Sequence, residues 1–362
     1  MTIEPPLQPD VVLAPFTSLE LGGPARWLVD ADDERTIVDA RAWAQEHDHA
    51  LVVLGAGSNV VIADRGLDAL VVRIATRGID MRRAEDTVLV TVKAGEPWDS
   101  LVAHTVDAGL AGVECLSGIP GLVGATPIQN VGAYGQEVAQ TIRSVRVLDR
   151  ATGEIRVMDV SECALGYRDS VFKRDPDRAI VLDVTFELRP GGAPTVRYEA
   201  LRRELAAAGS EPTLTVVRDA VIALRRDKSM VRDPDDENRR SVGSFFTNPI
   251  VTSDEAADVV AHALAAGVVH DPLEMPRWQE RDGRVKLAAA WLIEHAGIAK
   301  GLREGHVGVS TRHALALVHF GGGTASELLA LARRVRDAVL ERFGVRLEPE
   351  PALLGFSPAE RL

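Results

Sequence analysis

Helical spacing of apolar residues, or a signal for a helix start, marks five segments of the chain. The predicted helices cover residues 34–47, 97–110, 214–226, 252–267 and 324–343. The first can be capped by Asp32 or Asp33. The last two begin with a threonine followed three residues later by a glutamate, which is the capping-box pattern. Gly344 follows the last predicted helix and is expected to end it.

Short apolar runs rich in β-branched residues lie between these helices and predict strands. They cover residues 50–55, 68–74, 88–95 and 179–190. Residues 142–160 contain two further runs around Ala151-Thr152-Gly153, which predicts a hairpin with its turn at these three residues. Several strands follow one another without a helix between them. The pattern therefore predicts an α+β fold rather than strict β–α–β alternation.

Composition agrees with an ordinary globular protein of more than one domain. The chain has 362 residues, of which 46% are hydrophobic and 26% charged, a length that suggests two or three domains. It has no apolar run long enough for a transmembrane helix, and its N-terminus does not resemble a signal peptide. Cys115 and Cys163 are far apart in sequence, which favours buried thiols in a reducing cytoplasm over a disulfide.

The charge of the chain limits its partners. The formal net charge is −12, which disfavours binding to nucleic acid or to an anionic membrane, since both prefer a basic protein face. A local cluster of arginine and lysine can still bind a small anion, so an anionic small molecule stays open as a partner. No HExxH, CxxC or EF-hand pattern occurs, and we expect no metal site.

The first glycine-rich segment, LGAGSNVV (54–61), directly follows a predicted strand. Gly55, Gly57, Ser58 and Asn59 can turn their backbone N–H groups inward as an anion nest. Glycine also lets a pyrophosphate approach the backbone closely. The segment matches neither the P-loop nor the dinucleotide GxGxxG spacing, and an ordinary tight turn explains it equally well.

The second segment, GIPGLVGATPIQNVGAYG (118–135), has five glycines, two prolines and no charged residue. It is a poor helix. Its bare backbone and two amide side chains suit a flat cofactor with a phosphate bridge, since amides can hydrogen-bond a ring edge. The residues expected to bind are Gly118, Gly121, Gly124, Gln129, Asn130 and Gly132. A structural Ω-loop is the alternative for one segment, but two segments together favour a flavin dinucleotide.

Six segments, taken in order, resemble one enzyme family. They are LGAGSNVV, GIPGLVGATPIQNVGAYGQE, GYRDSVFK, SVGSFFTNP, KLAAAWLIEHAG and FGVRLEPE. This combination is similar to the UDP-N-acetylenolpyruvoylglucosamine reductases, flavoenzymes of bacterial peptidoglycan precursor synthesis. The resemblance runs from about residue 15 to residue 350. Each motif alone is modestly specific, but six motifs in family order are highly specific.

The resemblance implies an architecture and a reaction. The fold is expected to be a two-lobed FAD-binding domain of the PCMH/vanillyl-alcohol-oxidase type with a C-terminal α+β substrate-binding domain. The expected lobes are residues 1–70 with 344–362 and residues 71–228, and the substrate domain is 229–343. NADPH would reduce FAD, and hydride from flavin N5 would reduce UDP-N-acetylglucosamine-enolpyruvate to UDP-N-acetylmuramate.

The resemblance also assigns three catalytic residues. Arg168 in GYRDS would stabilise the developing enolic carboxylate, because a guanidinium matches a carboxylate in shape and charge. Ser244 in SVGSFFTNP would donate the proton, and Glu350 in LEPEP would polarise the intermediate. Judged one at a time, these residues also fit a surface ion pair with Asp169, a turn serine and an exposed charge.

Substrate binding is assigned by the same resemblance to Tyr167, Tyr198, Lys228 and Asn248. Lys228 would contact the substrate diphosphate, and Tyr198 would lie on a mobile loop that marks the longer of two family subtypes. KLAAAWLIEHAG resembles the helix beneath the substrate pocket. Most other basic residues between 225 and 240 are interpreted as a solvated helix end.

Two other functions remain open at this point. Another flavin-dependent oxidase or dehydrogenase would share the FAD lobes but has no need of SVGSFFTNP or LEPE. A catalytically silent nucleotide-sugar binding protein has no need of Arg168, Ser244 and Glu350 together. Flavin colour in the purified protein separates the enzymes from the binding protein.

Overall fold

The computed structural model describes residues 4–209 and 211–362. In chain order its helices are α1 (Glu34–Glu46), α2 (Trp98–Asp107), α3 (Val171–Arg174), α4 (Glu199–Ala208), α5 (Leu214–Arg226), α6 (Ser253–Ala265), α7 (Ala289–His295) and α8 (Ala325–Phe343). The five helices expected from apolar spacing and start signals are confirmed. Helices α3 and α4 were not predicted. No helix in the described part of the chain is long and apolar enough to cross a membrane.

The helix boundaries follow the expected capping chemistry. Asp33 caps α1, because its carboxylate accepts a hydrogen bond from the Thr36 N–H at 2.7 Å. Helices α6 and α8 both begin with a complete capping box. Gly344 has φ +71°, a left-handed conformation that glycine adopts without strain, and it ends α8.

The strands are short, and most are antiparallel. They are β1 (Gln8–Val12), β2 (Pro24–Ala31), β3 (Leu51–Leu54), β4 (Val60–Ile62), β5 (Leu67–Ile74), β6 (Ile79–Ala84), β7 (Thr87–Lys93), β8 (Leu110–Ala111), β9 (Gly132–Ala133), β10 (Gln136–Glu137), β11 (Ile142–Asp149), β12 (Ile155–Asp159), β13 (Ala179–Pro190), β14 (Ser241–Ser244), β15 (Ile250–Val251), β16 (Arg277–Gln279), β17 (Val285–Leu287), β18 (Arg303–Glu304), β19 (Val307–Val309), β20 (Ala316–His319) and β21 (Ala352–Leu354). The predicted strands and the predicted hairpin of β11 and β12 are all present.

The chain forms two compact units. The first consists of the N-terminal segment through Val11, Pro24–Gly57 and Asp68–Arg232, and the second of Val12–Gly23, Ser58–Leu67 and Asp233–Leu362. The sequence predicts three parts, namely two FAD-binding lobes and a substrate domain. The two observed units do not test that division, which stays a prediction.

The first unit contains two main sheets. One has the strand order β1-β2-β5-β3, with β3 and β5 parallel, and the other has β12-β11-β13-β7-β6 with β8 attached to β13. The long strand β13 pairs antiparallel with both β11 and β7. One continuous apolar core includes the buried Trp98 and Phe186. The Trp98 indole N–H donates to the Leu116 carbonyl at 2.9 Å, which satisfies its one buried polar group.

The second unit is built from shorter strands around α8. Its sheets have the orders β14-β20-β19-β18 and β15-β17-β16, and β21 pairs parallel with β4. Helix α8 buries eight residues of its apolar face, among them Leu328, Leu331 and Val335. Two antiparallel sheets beside helices, together with one mixed and one antiparallel sheet in the first unit, make the molecule α+β, as predicted.

Candidate active site

The first glycine-rich segment of the first unit has unused hydrogen-bond donors. Among the described residues, the backbone N–H groups of Gly55, Ala56 and Gly57 donate no hydrogen bond. Gly57 has φ +61°, and a Cβ built on Gly55 would lie 3.5 Å from the nearest atom, Leu122 Cδ1. Three successive unbonded N–H groups beside bare backbone are suited to an anion such as a pyrophosphate. The segment therefore fits the phosphate part of a dinucleotide.

The second glycine-rich segment is tightly bound to the body of the first unit. The Gly118 N–H donates to Asp99 Oδ1 at 2.6 Å, and the Gly121 carbonyl accepts from the Trp98 N–H at 3.0 Å. A Cβ on Gly124 would lie only 2.5 Å from Ala94 Cβ. These contacts make the segment a fixed wall rather than a mobile loop.

Asn130, in the same segment, is 1% exposed. Its amide nitrogen donates to Glu137 Oε2 at 3.0 Å and to the Gly166 carbonyl at 2.9 Å, and its oxygen accepts the Ala139 N–H at 3.1 Å. Both N–H groups and the oxygen of the amide are thus used within the chain, whereas the neighbouring Gln129 is only half-buried. If Asn130 contacts a cofactor, only its backbone is available for that contact.

Arg168 lies in a tight turn of the first unit. Gly166 and Asp169 bond each other's backbone at 2.9 and 3.2 Å, and Arg168 has φ +52° between them. Its Nη2 donates to the Gly132 carbonyl at 2.8 Å, and its Cζ lies 5.6 Å from the centroid of the Tyr167 ring. Asp169 pairs with Arg174. The guanidinium is therefore oriented by the glycine-rich segment.

Ser244 and Glu350 are brought together in the second unit. Ser244 ends β14, and the next residue, Phe245, accepts a hydrogen bond from the Glu350 N–H at 2.8 Å through its carbonyl. Phe245 and Phe246 are buried, with ring centroids 5.2 Å apart, while Ser244 is half-buried. No hydrogen bond of the Ser244 hydroxyl occurs among the described residues. Its neighbours thus fix the backbone of Ser244, and its hydroxyl is left for other partners.

Asn59 belongs to the same part of the second unit. Its amide nitrogen donates to the Glu350 carbonyl at 3.3 Å, and its own carbonyl accepts the Ala352 N–H at 3.0 Å. Asn59 therefore positions the segment that carries Glu350 and leads into β21. By contrast, Glu348 is exposed and lies 3.5 Å from Arg346, as expected for a solvated side chain.

Lys228 follows the end of α5 and lies close to a buried arginine. Burial lowers the pKa of Lys228, and the positive charge of Arg225 lowers it further. Arg225 itself is 7% exposed and donates from Nη2 to the Met230 carbonyl at 2.7 Å. This arginine is an exception to the expected solvated helix end. The spacing of Val217, Val221 and Arg225 at every fourth residue was the signal that places it on the buried face.

Tyr198 immediately precedes α4 and is 43% exposed. Its ring meets that of Tyr134 edge-on, with centroids 5.4 Å apart. The loop before it is held by Glu114, a fully buried carboxylate that accepts the Thr195 N–H at 2.7 Å and the Gln136 amide at 2.8 Å. Sequence reasoning missed Tyr134 and Glu114, because nothing in the pattern joins them to Tyr198.

Asn248 lies near the end of SVGSFFTNP, in the second unit. Its side-chain oxygen accepts the Ala289 N–H at 2.9 Å and so caps the first turn of α7. Lys286, in the adjacent strand β17, pairs with Glu280 at 2.6 Å. In the described part of the chain, no group of three or more histidine, cysteine, aspartate or glutamate side chains is placed to hold a metal ion.

The predicted site residues thus fall into two sets. The first unit holds Arg168, Tyr167, Tyr198, Lys228 and the glycine-rich segments as far as Gly57 and from Gly118 to Gly132. The second unit holds Ser244, Glu350 and Asn248, together with Ser58 and Asn59. Within each unit, the backbone around each predicted catalytic residue is held by hydrogen bonds.

Comparison with known proteins identifies the family. Residues 25–159 match the model of an FAD binding domain, and residues 233–354 match that of a UDP-N-acetylenolpyruvoylglucosamine reductase C-terminal domain. Reductases of that name from Saccharopolyspora erythraea and Thermobifida fusca are 51% and 49% identical, covering 94% and 96% of this chain and 94% and 97% of their own. The crystal structure of the enzyme from Thermus caldophilus is 26% identical, has a TM-score of 0.66, and covers 96% of this chain and 98% of its own. The chain therefore belongs to the UDP-N-acetylenolpyruvoylglucosamine reductase family.

Proposed function

We propose that this chain uses NADPH and FAD to reduce UDP-N-acetylglucosamine-enolpyruvate to UDP-N-acetylmuramate, with Arg168, Ser244 and Glu350 as its catalytic residues. Membership of the reductase family and the matched FAD binding domain support the reaction. The observation that carries the residue assignment is the hydrogen bond between the Glu350 N–H and the Phe245 carbonyl. This bond joins the Glu350 backbone to the residue that follows Ser244, which supports a shared role for the two residues.

FAD fits the first glycine-rich segment through the unbonded N–H groups of Gly55 and Gly57. When bound, FAD would supply the hydride-transfer chemistry between NADPH and the enolpyruvyl group. We assign the rest of the cofactor site to Ser58, Asn59, Gly118, Gly121, Gly124, Gln129, Asn130 and Gly132. Of these, Gly118 and Gly124 also attach the second segment to the body of the first unit. Asn130 is assigned through its backbone, because its amide is used within the chain.

Arg168 stabilises the negative charge that develops on the substrate carboxylate. Its guanidinium is held by the Gly132 carbonyl at 2.8 Å before substrate arrives, so little reorganisation is needed when the charge forms. A planar guanidinium also offers paired donors to the two oxygens of an enolic carboxylate.

Ser244 donates the proton to the carbon next to that carboxylate. A serine hydroxyl is a weak acid, and transfer becomes favourable because the carbon beside the enolic carboxylate is strongly basic. Glu350 polarises the same carboxylate by sharing a proton with it. Phe245 and Phe246, the two residues that follow the serine, are buried, so Ser244 borders an apolar part of the second unit.

Lys228 is assigned to the substrate diphosphate, and Tyr167, Tyr198 and Asn248 are assigned to substrate binding. Burial and Arg225 lower the pKa of Lys228, which means that its positive charge is poorly compensated within the chain. A diphosphate supplies the missing negative charge. Part of the binding energy of the diphosphate thus comes from neutralising the buried positive charge of Lys228.

We place the reaction in the cytoplasm, with a small molecule as the partner. Cys115 and Cys163 are unpaired and buried, and burial raises the pKa of the Cys115 thiol to about 12. Such inert thiols fit a reducing compartment. The net charge of −12 supports a small-molecule partner rather than nucleic acid.

An anaerobic absorbance experiment tests the reaction. NADPH is expected to bleach the flavin band, and UDP-N-acetylglucosamine-enolpyruvate is expected to restore it. Bleaching without recovery would mean a reductase of another substrate. A protein that carries no flavin band even after incubation with FAD would overturn the enzyme assignment.

The variant Ser244→Ala tests the proton donor in the same experiment. It should leave bleaching by NADPH intact and slow recovery by at least about 100-fold, the scale of a lost general acid. Ser241→Ala, three residues earlier on β14, is the matched control and should change neither step. Wild-type recovery in Ser244→Ala would remove Ser244 from the mechanism.

A further inference from the structure

We propose that Asn130 is a positioning residue that fixes the direction of the Arg168 guanidinium. The proposal rests on the role of Arg168 given above. It assigns the Asn130 side chain to the turn that carries the arginine, and not to the flavin. Its basis is a group of hydrogen bonds in the first unit that join residues 128–132 to residues 166–170.

The Asn130 amide holds the Arg168 turn from one side. Its nitrogen donates to the Gly166 carbonyl at 2.9 Å, and the same carbonyl also accepts the Asp169 N–H at 3.2 Å. Gly166 and Asp169 are the two ends of the turn. The Asn130 amide is therefore hydrogen-bonded to Gly166, the residue at which the turn begins.

The backbone next to Asn130 holds the guanidinium itself. Arg168 Nη1 lies 3.5 Å from the Asn130 carbonyl, and Nη2 donates to the Gly132 carbonyl at 2.8 Å. The Ser170 hydroxyl donates to the Ile128 carbonyl in the same interface. One short segment thus controls both the base of the turn and the tip of the arginine.

Asparagine is well suited to this position. Asn130 has φ +45° and is 1% exposed. Among residues with a side chain, asparagine and aspartate adopt this left-handed conformation most readily. The other amide bonds, to Glu137 Oε2 and from the Ala139 N–H, lock the side chain in one orientation. Alanine or serine could not supply this set of donors and acceptor at the same backbone conformation.

The expected consequence is kinetic and confined to one step. An arginine that is already oriented does not have to move when negative charge develops on the substrate, so no reorganisation energy is added to the barrier. Without the amide, the turn loses its attachment at Gly166 and the guanidinium moves relative to the substrate. Hydride transfer from NADPH to the flavin does not use Arg168, so that step should not change.

The test uses Asn130→Gly in the full-length flavoprotein. Glycine keeps the left-handed backbone and both carbonyls and removes only the amide. We expect unchanged FAD content, unchanged flavin absorbance and unchanged bleaching by NADPH. Reoxidation by UDP-N-acetylglucosamine-enolpyruvate should slow by about 10- to 100-fold, the range reported for small misplacements of a catalytic group. Asp48→Gly is the matched control, because Asp48 has φ +53° and is exposed beyond the end of α1.

A second variant and a double variant keep the outcomes distinct. Asn130→Asp retains the acceptor for the Ala139 N–H but loses both donors, and it should slow the same step if Asn130→Gly does not fold. Arg168→Lys alone should slow reoxidation, and adding Asn130→Gly to it should cause little further loss, since residues that act as a unit are not additive.

Each other result overturns a definite part of the proposal. If Arg168→Lys reoxidises at the wild-type rate, the proposed role of Arg168 is wrong. If Arg168→Lys is slow but both Asn130 variants are normal, Asn130 does not position it. Loss of FAD or a changed flavin spectrum in Asn130→Gly would assign the amide to the cofactor. Multiplicative effects in the double variant would mean that Asn130 acts elsewhere.

Discussion

The two glycine-rich segments look alike in sequence, but Gly55 and Gly124, both in the first unit, serve different purposes. At Gly55 a Cβ would lie 3.5 Å from the nearest atom, which is an ordinary contact, and the N–H group has no partner among the described residues. At Gly124 a Cβ would lie 2.5 Å from Ala94 Cβ and 3.0 Å from Ala94 Cα. The Gly124 N–H already donates to the Ala94 carbonyl at 2.9 Å.

This difference separates a glycine that faces a ligand from one that packs inside the fold. Open space and an unused donor at Gly55 leave bare backbone for another molecule. Filled space and a used donor at Gly124 bring the glycine-rich segment close to the end of strand β7. A glycine pattern therefore indicates close approach, but only the neighbours decide whether the approaching group belongs to the chain or to a cofactor.

The largest expected effect is on stability and concerns Gly124→Ala. The added methyl group meets backbone atoms that cannot move independently, so overpacking should destabilise the FAD-free protein by about 2 to 3 kcal/mol. Denaturant unfolding of the FAD-free protein would measure this loss as a lower midpoint. An unfolding midpoint equal to that of the wild type would show that Ala94 moves aside without cost. Gly124 would then not be required for close packing, and the proposed difference between the two segments would be wrong.

Much of the fold could be predicted because its signals are local. Capping boxes at Thr252 and Thr324 fix two helix starts, and Gly344 fixes a helix end. The strand at residues 179–190 is observed with the same limits that its apolar run predicts. The division into two units could not be read in this way, because the second unit collects residues 12–23 and 58–67 from distant parts of the chain.

The site was predictable by resemblance and only partly by physics. Family, reaction and cofactors are confirmed, whereas the roles of Arg168, Ser244 and Glu350 stay predictions. What sequence reasoning missed are contacts between residues far apart, such as Glu114 with the Thr195 N–H. It also missed that the Asn130 amide is used inside the chain, since hydrogen-bond capacity alone does not tell which partner is near.

A smaller effect, on cofactor affinity, is expected from Gly55→Ala. Here the methyl group has room, so the free energy of unfolding of the FAD-free protein should change by less than about 0.5 kcal/mol. FAD affinity should fall about tenfold, or about 1.4 kcal/mol, because the methyl group replaces bare backbone next to the unbonded N–H groups. Ala56→Gly is the control, since position 56 already tolerates a side chain, and titration of FAD by fluorescence compares the three proteins. Equal FAD affinity in Gly55→Ala and the wild type would exclude the first segment from the cofactor site.

The smallest effect concerns Asp99, which anchors the second segment. Burial raises the pKa of Asp99, but hydrogen bonds from Arg218 at 2.6 and 2.9 Å and from the Gly118 N–H at 2.6 Å outweigh it and hold the pKa below its ordinary value. A carboxyl with a lowered pKa stabilises the folded chain above its unfolded pKa of about 4, and this contribution is lost as the pH falls through the lowered value. Asp99→Asn should therefore cost about 1 kcal/mol at neutral pH, and its difference from the wild type should narrow below about pH 4.

Unfolding midpoints of the wild type and Asp99→Asn, measured between neutral and acidic pH, test the predicted loss of stability. Asp80→Asn, on the exposed strand β6, is the control. Because Asp99 binds the second segment and not the first, FAD affinity should fall less in Asp99→Asn than in Gly55→Ala. A larger loss of FAD in Asp99→Asn would mean that the fixed wall, rather than the open backbone at Gly55, supplies most of the cofactor affinity. The second segment would then be the main cofactor-binding segment, and the open backbone at Gly55 would contribute little to FAD affinity.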